Sequence, residues 1–160
     1  MKALRLWTLI ASIGLCVVIP WSSHAQQQIP SLATIELSGI VMNVTGGQSA
    51  GVLFRITPKS DTEFRAAGAY DGKNLFGRFN VTGRPLLGGK DFLCLQFVGN
   101  ILFGGNDGSG FPEGTSATYV MSITLLSGGK AKGVYHVGKI LGVDWEQYGI
   151  MDLSAKPLTK

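Results

Sequence analysis

From Ala33 onward apolar and polar residues alternate one by one, and this pattern restricts the fold more than any other feature. Successive side chains of a β-strand point to opposite sides of the sheet, so alternation marks a strand with one buried face. Ile35, Leu37, Gly39 and Val41 fall on one face, with Thr34, Glu36 and Ser38 on the other. Val52, Phe54 and Ile56 oppose Leu53, Arg55 and Thr57. Phe64, Ala66, Gly68 and Tyr70 oppose Glu63 and Arg65, and Leu75, Gly77, Phe79 and Val81 oppose Arg78 and Asn80. Ala117, Tyr119, Met121, Ile123 and Leu125 oppose Thr118, Ser122 and Thr124. No segment sustains the 3.6-residue period of an amphipathic helix. The 23 glycines among 160 residues agree with this, because Gly inside a helix costs about 1 kcal/mol relative to Ala.

Adding the apolar run 92–103 and the segments 132–141 and 146–154, the chain predicts eight strands: 33–43, 50–57, 63–70, 74–81, 92–103, 116–126, 132–141 and 146–154. Most connections are short, so the fold is expected to be all-β and antiparallel. A meander of this size removes its exposed edges by closing into an up-and-down barrel. A two-sheet sandwich produces the same alternation and is the alternative. In outline the layout resembles lipocalin- and avidin-like barrels, although a Gly-x-Trp signature is missing from the first strand, which carries Ser38-Gly39-Ile40.

Several connections carry turn chemistry. Asp71-Gly72 predicts a two-residue hairpin turn with positive φ at both positions. Gly46-Gly47-Gln48-Ser49-Ala50-Gly51-Val52 echoes Gly128-Gly129-Lys130-Ala131-Lys132-Gly133-Val134, which predicts one hairpin solution used twice. Strands rather than helices follow these glycines, so they do not read as phosphate loops. Residues 104–115 form the one long connection, a length that is often functional.

The first 25 residues read as a separate segment. Met1 to Arg5 is a short basic start, Leu6 to Ile19 is apolar, and Ser23 and Ala25 are the small residues a signal peptidase selects. This three-part pattern predicts a cleaved signal peptide. The apolar run falls short of the roughly 20 residues a spanning helix needs. A polar N-terminus at 26–31 and a single domain at 32–160 would remain, exported to a periplasmic or extracellular space. The whole chain carries +4, but Lys2 and Arg5 supply half of that. With Lys and Arg scattered, nucleic acid is not an expected partner. Cys94 would be the lone cysteine, which excludes an internal disulfide and predicts a buried structural thiol.

Few residues carry chemistry. Asn106, Asp107, Ser109 and Glu113 place oxygen donors in the long loop. Two carboxylates do not make the usual calcium shell, and a solvated turn is expected. His136 is the one histidine after the leader, so no metal site or cofactor is predicted. Its neighbours Val134, Gly138 and Ile140 predict a buried or half-buried ring. As an enzyme the chain would have to use His136 with Tyr135, Asp144 and Glu146, its weak catalytic candidates.

Aromatic side chains give the leading expectation. An eight-stranded barrel either fills its interior or holds one small ligand. Phe54, Tyr70, Phe79, Tyr119 and Tyr135 fall in strands, and Trp145 and Tyr148 fall near the last turn, at a barrel mouth. These residues predict a non-enzymatic barrel that binds a small, largely apolar ligand or a protein partner, with Asn106, Asp107 and Glu113 in a recognition loop. The alternative is a structural or assembly protein of the cell envelope, a homo-oligomer in which outward-facing Ile40, Met42, Leu53, Phe76, Phe92 and Leu126 would form an interface.

Overall fold

The structure is a computed structural model that describes residues 33–72, 77–103, 112–140 and 146–158. Eight strands follow in chain order: β1 (Ile35–Asn43), β2 (Ser49–Pro58), β3 (Phe64–Asp71), β4 (Gly77–Gly88), β5 (Phe92–Leu102), β6 (Ser116–Leu126), β7 (Lys130–Ile140) and β8 (Gln147–Pro157). Each pairs antiparallel with the next, and β1 also pairs with β8, so the sheet closes into an up-and-down barrel. At the closure Leu37 lies opposite Ala155 and Val41 opposite Met151. Closure leaves no free sheet edge and excludes the sandwich. Residues 1–25, expected from the sequence to be a signal peptide, and 26–31 lie outside the described residues.

Alternation decides which side of the wall each residue occupies. Leu37, Phe54, Ile56, Phe64, Leu95, Phe97, Tyr119, Met121 and Ile123 are fully buried inside. Arg55, Arg65 and Arg78 face out. Glycine lets the wall approach its own contents. A Cβ on Gly149 would strike the Tyr135 ring, which lies across the opposing strand at that point.

Three local expectations are corrected. The two-residue turn at Asp71-Gly72 does not form. Asp71 continues β3 opposite Gly51, and Tyr70 pairs with Gly77, so residues 71–76 separate the paired ends. Strand β4 also begins later than expected and runs on to Gly88. Gly83 and Pro85 look like breakers but are accommodated. Gly83 gives room to the Phe97 ring, and Pro85 sits at a register shift, where a missing N–H costs least.

The two Gly-Gly connections, third, are built differently. The β1–β2 connection is organised by Asn43, whose Oδ1 accepts the N–H groups of Thr45 at 3.0 Å and Gly46 at 3.2 Å. Its Nδ2 donates to Gln48 Oε1 at 2.6 Å. There Gly47 takes a left-handed φ of 69°, whereas Gly128 and Gly129 both do so at the β6–β7 turn, with φ of 75° and 71°. Only glycine adopts such backbone cheaply.

Candidate functional site

Five aromatic rings gather in the half of the interior nearest the β1–β2 turn. Phe79 lies 5.4 Å from Phe54, Tyr70 and Tyr119, centroid to centroid. Tyr135 lies 5.9 Å from Tyr70 and 6.1 Å from Tyr119. Tilted and edge-on pairs at such spacing add about 0.5–1.5 kcal/mol each beyond burial.

The hydroxyls of this cluster are ordered by elementary donor and acceptor logic. Tyr119 Oη bonds Met121 Sδ at 3.4 Å. Thioether sulfur only accepts, so Tyr119 donates its single proton there. The hydrogen bond between the Tyr70 and Tyr119 hydroxyls must therefore have Tyr70 as donor. Burial, and then the neighbouring Tyr135, holds the Tyr119 phenol well above its usual pKa. Burial likewise pushes Tyr135 up to about 12, with Gln147 opposing the shift by favouring the ionised form. The Tyr135 hydroxyl is buried without a partner at hydrogen-bonding geometry.

The outer wall carries the second feature. Period 2 sends Val134 and His136 of β7 outward, along with Tyr148 and Ile150 of β8 and Ile40 and Met42 of β1. Register sets these side by side: Val134 opposes Ile150, which opposes Met42, and His136 opposes Tyr148. The His136 and Tyr148 rings stack at 6.3 Å and 25°. Val44 joins them through its N–H bond to the Tyr148 carbonyl, at 2.9 Å. Exposures of 60% for Ile40, 55% for Val134 and 51% for Ile150 show that none of the described residues covers this strip.

A depression of about 350 Å³ runs along it, lined by Val44, Val120, Val134, His136, Tyr148 and Ile150. A second, of about 400 Å³, shares Ser122, Val134 and Ile150 with the first and continues to Lys132 and Asp152. Together they form one trough, apolar at one end and charged at the other.

The sequence-predicted residues divide across the wall. Phe54, Tyr70, Tyr119 and Tyr135 come together inside, each tightly packed. Tyr148 does not join them. It is 49% exposed on the outer wall instead of lining a mouth, because it has the opposite parity to Gly149 and Met151. His136 is likewise exposed rather than buried. Lys130 and Lys132 share its parity and mark that side as solvent-facing, a signal legible in the sequence. Tyr135 and His136 therefore point to opposite sides of one strand and cannot meet on one substrate.

Glu146 and Glu113 are exposed, and Asp144, Trp145, Asn106 and Asp107 lie outside the described residues, as does Phe76. Cys94 is half-buried on the outer side of β5 rather than fully buried. Among the described residues, no three His, Cys, Asp or Glu side chains converge as a metal site would require. Sequence reasoning placed Phe79 and Met121 on inner faces, and passed over Val44 and Ile150 outside.

No protein-family model and no curated relative matches the chain. The chain is similar to a solved structure described as "Structure of EF1p2_mFAP2b bound to DFHBI", at 15% sequence identity and a TM-score of 0.49, over 77% of this chain and 91% of that one.

Proposed function

We propose that this chain is an exported, non-enzymatic β-barrel that binds an apolar partner through the trough on the outer wall of β6, β7 and β8. The supporting observation is the continuous run of Val134, Ile150, Met42 and Ile40, each about half exposed or more and adjacent in register. Large apolar residues scattered singly on a surface need no explanation, but a contiguous patch marks a contact site. The leader-like N-terminus supports the exported setting. The His136 and Tyr148 rings supply a polar edge that orients what binds, as placed polar groups do in apolar sites.

An apolar fluorescent probe, 1-anilinonaphthalene-8-sulfonate, tests this reading. It is expected to bind saturably, and Val134→Glu and Ile150→Glu are each expected to weaken binding by about tenfold, the cost of losing one half-exposed aliphatic contact and adding a charge. Probe binding indifferent to both substitutions would sink the reading.

A second reading places a small, largely apolar ligand inside, at the tyrosine cluster. It is favoured by the Tyr135 hydroxyl, a buried polar handle without a partner at hydrogen-bonding geometry. Probe binding that responds to Tyr135→Phe and not to Val134→Glu would select it.

A further inference from the structure

We infer that the occupant of the outer trough is a second copy of this chain, docked about a two-fold axis. This rests on the outer wall being the contact surface, and names the partner it fits.

Shape is the first ground. Beside the trough stands a ridge on β1, where Ile40 is 60% and Met42 48% exposed. Neither residue lines the trough itself, although Met42 is Ile150's cross-strand neighbour and Ile40 is Asp152's. A knob next to a hollow is self-complementary: rotating one copy by half a turn sets each ridge against the other's trough. That reciprocal contact is what an isologous interface requires.

Charge is the second ground. Lys132 and Asp152 oppose each other across β7 and β8 at the rim of the trough. The ion pairs of the described residues are Arg55–Glu36 and Lys59–Glu63, so these two opposite charges stand side by side without closing on each other. In a two-fold contact each rim offers both signs, and Lys132 of one copy meets Asp152 of the other. A partner of a single charge sign would match only half of this rim.

Area is the third. The exposed parts of Ile40, Met42, Val44, Val134, Tyr148 and Ile150 come to roughly 600 Å², the upper end of what a monomer ordinarily leaves in one apolar patch. A standard interface buries about 800 Å² on each partner, and the polar rim makes up the difference.

Sedimentation equilibrium of the purified protein tests the inference. A dimer is expected. Ile150→Lys in the trough and Met42→Lys on the ridge should each raise its dissociation constant by at least about tenfold. Both positions face solvent, so the near-ultraviolet circular dichroism of the buried tyrosines should not change. Lys132→Glu should weaken the dimer, and adding Asp152→Lys should restore it. A protein that stays monomeric across the micromolar range overturns the inference, as does a dimer indifferent to these substitutions. A monomer whose probe binding still depends on Val134 and Ile150 overturns the dimer alone. A monomer whose probe binding ignores them overturns the outer-wall reading as well.

Discussion

The outer wall of β7, β8 and β1 and the outer wall of β2, β3 and β4 are made by the same strand geometry, yet they differ in chemistry. On the second, Arg65 Nε donates to Asn80 Oδ1 at 2.7 Å, and Arg55 reaches across to Glu36 of β1 at 3.0 Å. A depression of about 690 Å³ at β3–β5 is lined by Arg65, Arg78, Asn80 and Thr82, with Val98 and Leu102 of β5 at its side. The exposed large apolar residues of those strands are Leu53, which stands apart, and Leu86 and Leu87 at the far end of β4. On the first, apolar neighbours meet across three strands. Barrel closure requires an apolar inside and is indifferent to the outside, so the outer strip is not a by-product of folding. Under the proposed function, its composition answers to contact with a partner.

The largest test of that contrast compares the strip with the core. Phe54→Ala should destabilise the barrel by about 3–5 kcal/mol in urea unfolding, because it leaves a cavity among packed rings. Ile150→Ala should cost less than about 1 kcal/mol in the same assay, since half its surface is already in water. Equal costs would mean that the strip belongs to the core and would remove the contrast.

Inside, the tyrosine-bearing half can be set against the aliphatic half around Leu95, Ile123, Leu125 and Leu153. Tyr135→Phe removes a hydroxyl that lacks a partner at hydrogen-bonding geometry and should leave stability unchanged or raise it by about 1 kcal/mol. The pH dependence has a definite sign. A folded pKa of about 12 against an ordinary 10.0 means the native state holds the Tyr135 proton more tightly. The stability this supplies is fully present below pH 10 and is lost as pH rises towards 12. The thermal midpoint should therefore fall over that range, and Tyr135→Phe should flatten the fall. An unchanged slope would show that Tyr135 does not carry it.

The smallest effect is expected on the polar wall. Arg55→Ala breaks the pair with Glu36, in which the arginine side chain is 62% exposed. It should cost no more than about 1 kcal/mol in urea unfolding, and less in high salt. A larger loss would show that the polar wall contributes to stability rather than to solvation.

Much of this architecture was legible before the structure. Ser116–Leu126 reads correctly residue for residue because five inward apolar residues alternate with Thr118, Ser122 and Thr124. The start of β4 was not legible, since Leu75 and Phe76 extend the alternation beyond the pairing that Tyr70 and Gly77 establish. His136 was misplaced because Val134 and Ile140 are apolar. Their parity was visible in Lys130 and Lys132, but apolar residues on both sides of a strand obscure which side is inside.

The sequence by itself determined the strands, their antiparallel order and the inner wall, because alternation and short connections are local properties of the chain. Only the tertiary structure decided which distant residues share a surface. Ile40, Val134 and Ile150 are far apart in the chain and become a strip through the closing β1–β8 and β7–β8 pairings. Tyr70 and Tyr119 exchange a hydrogen bond across the barrel interior. Such meetings depend on register and closure, which are set by the packing of all eight strands at once and are written in no single segment.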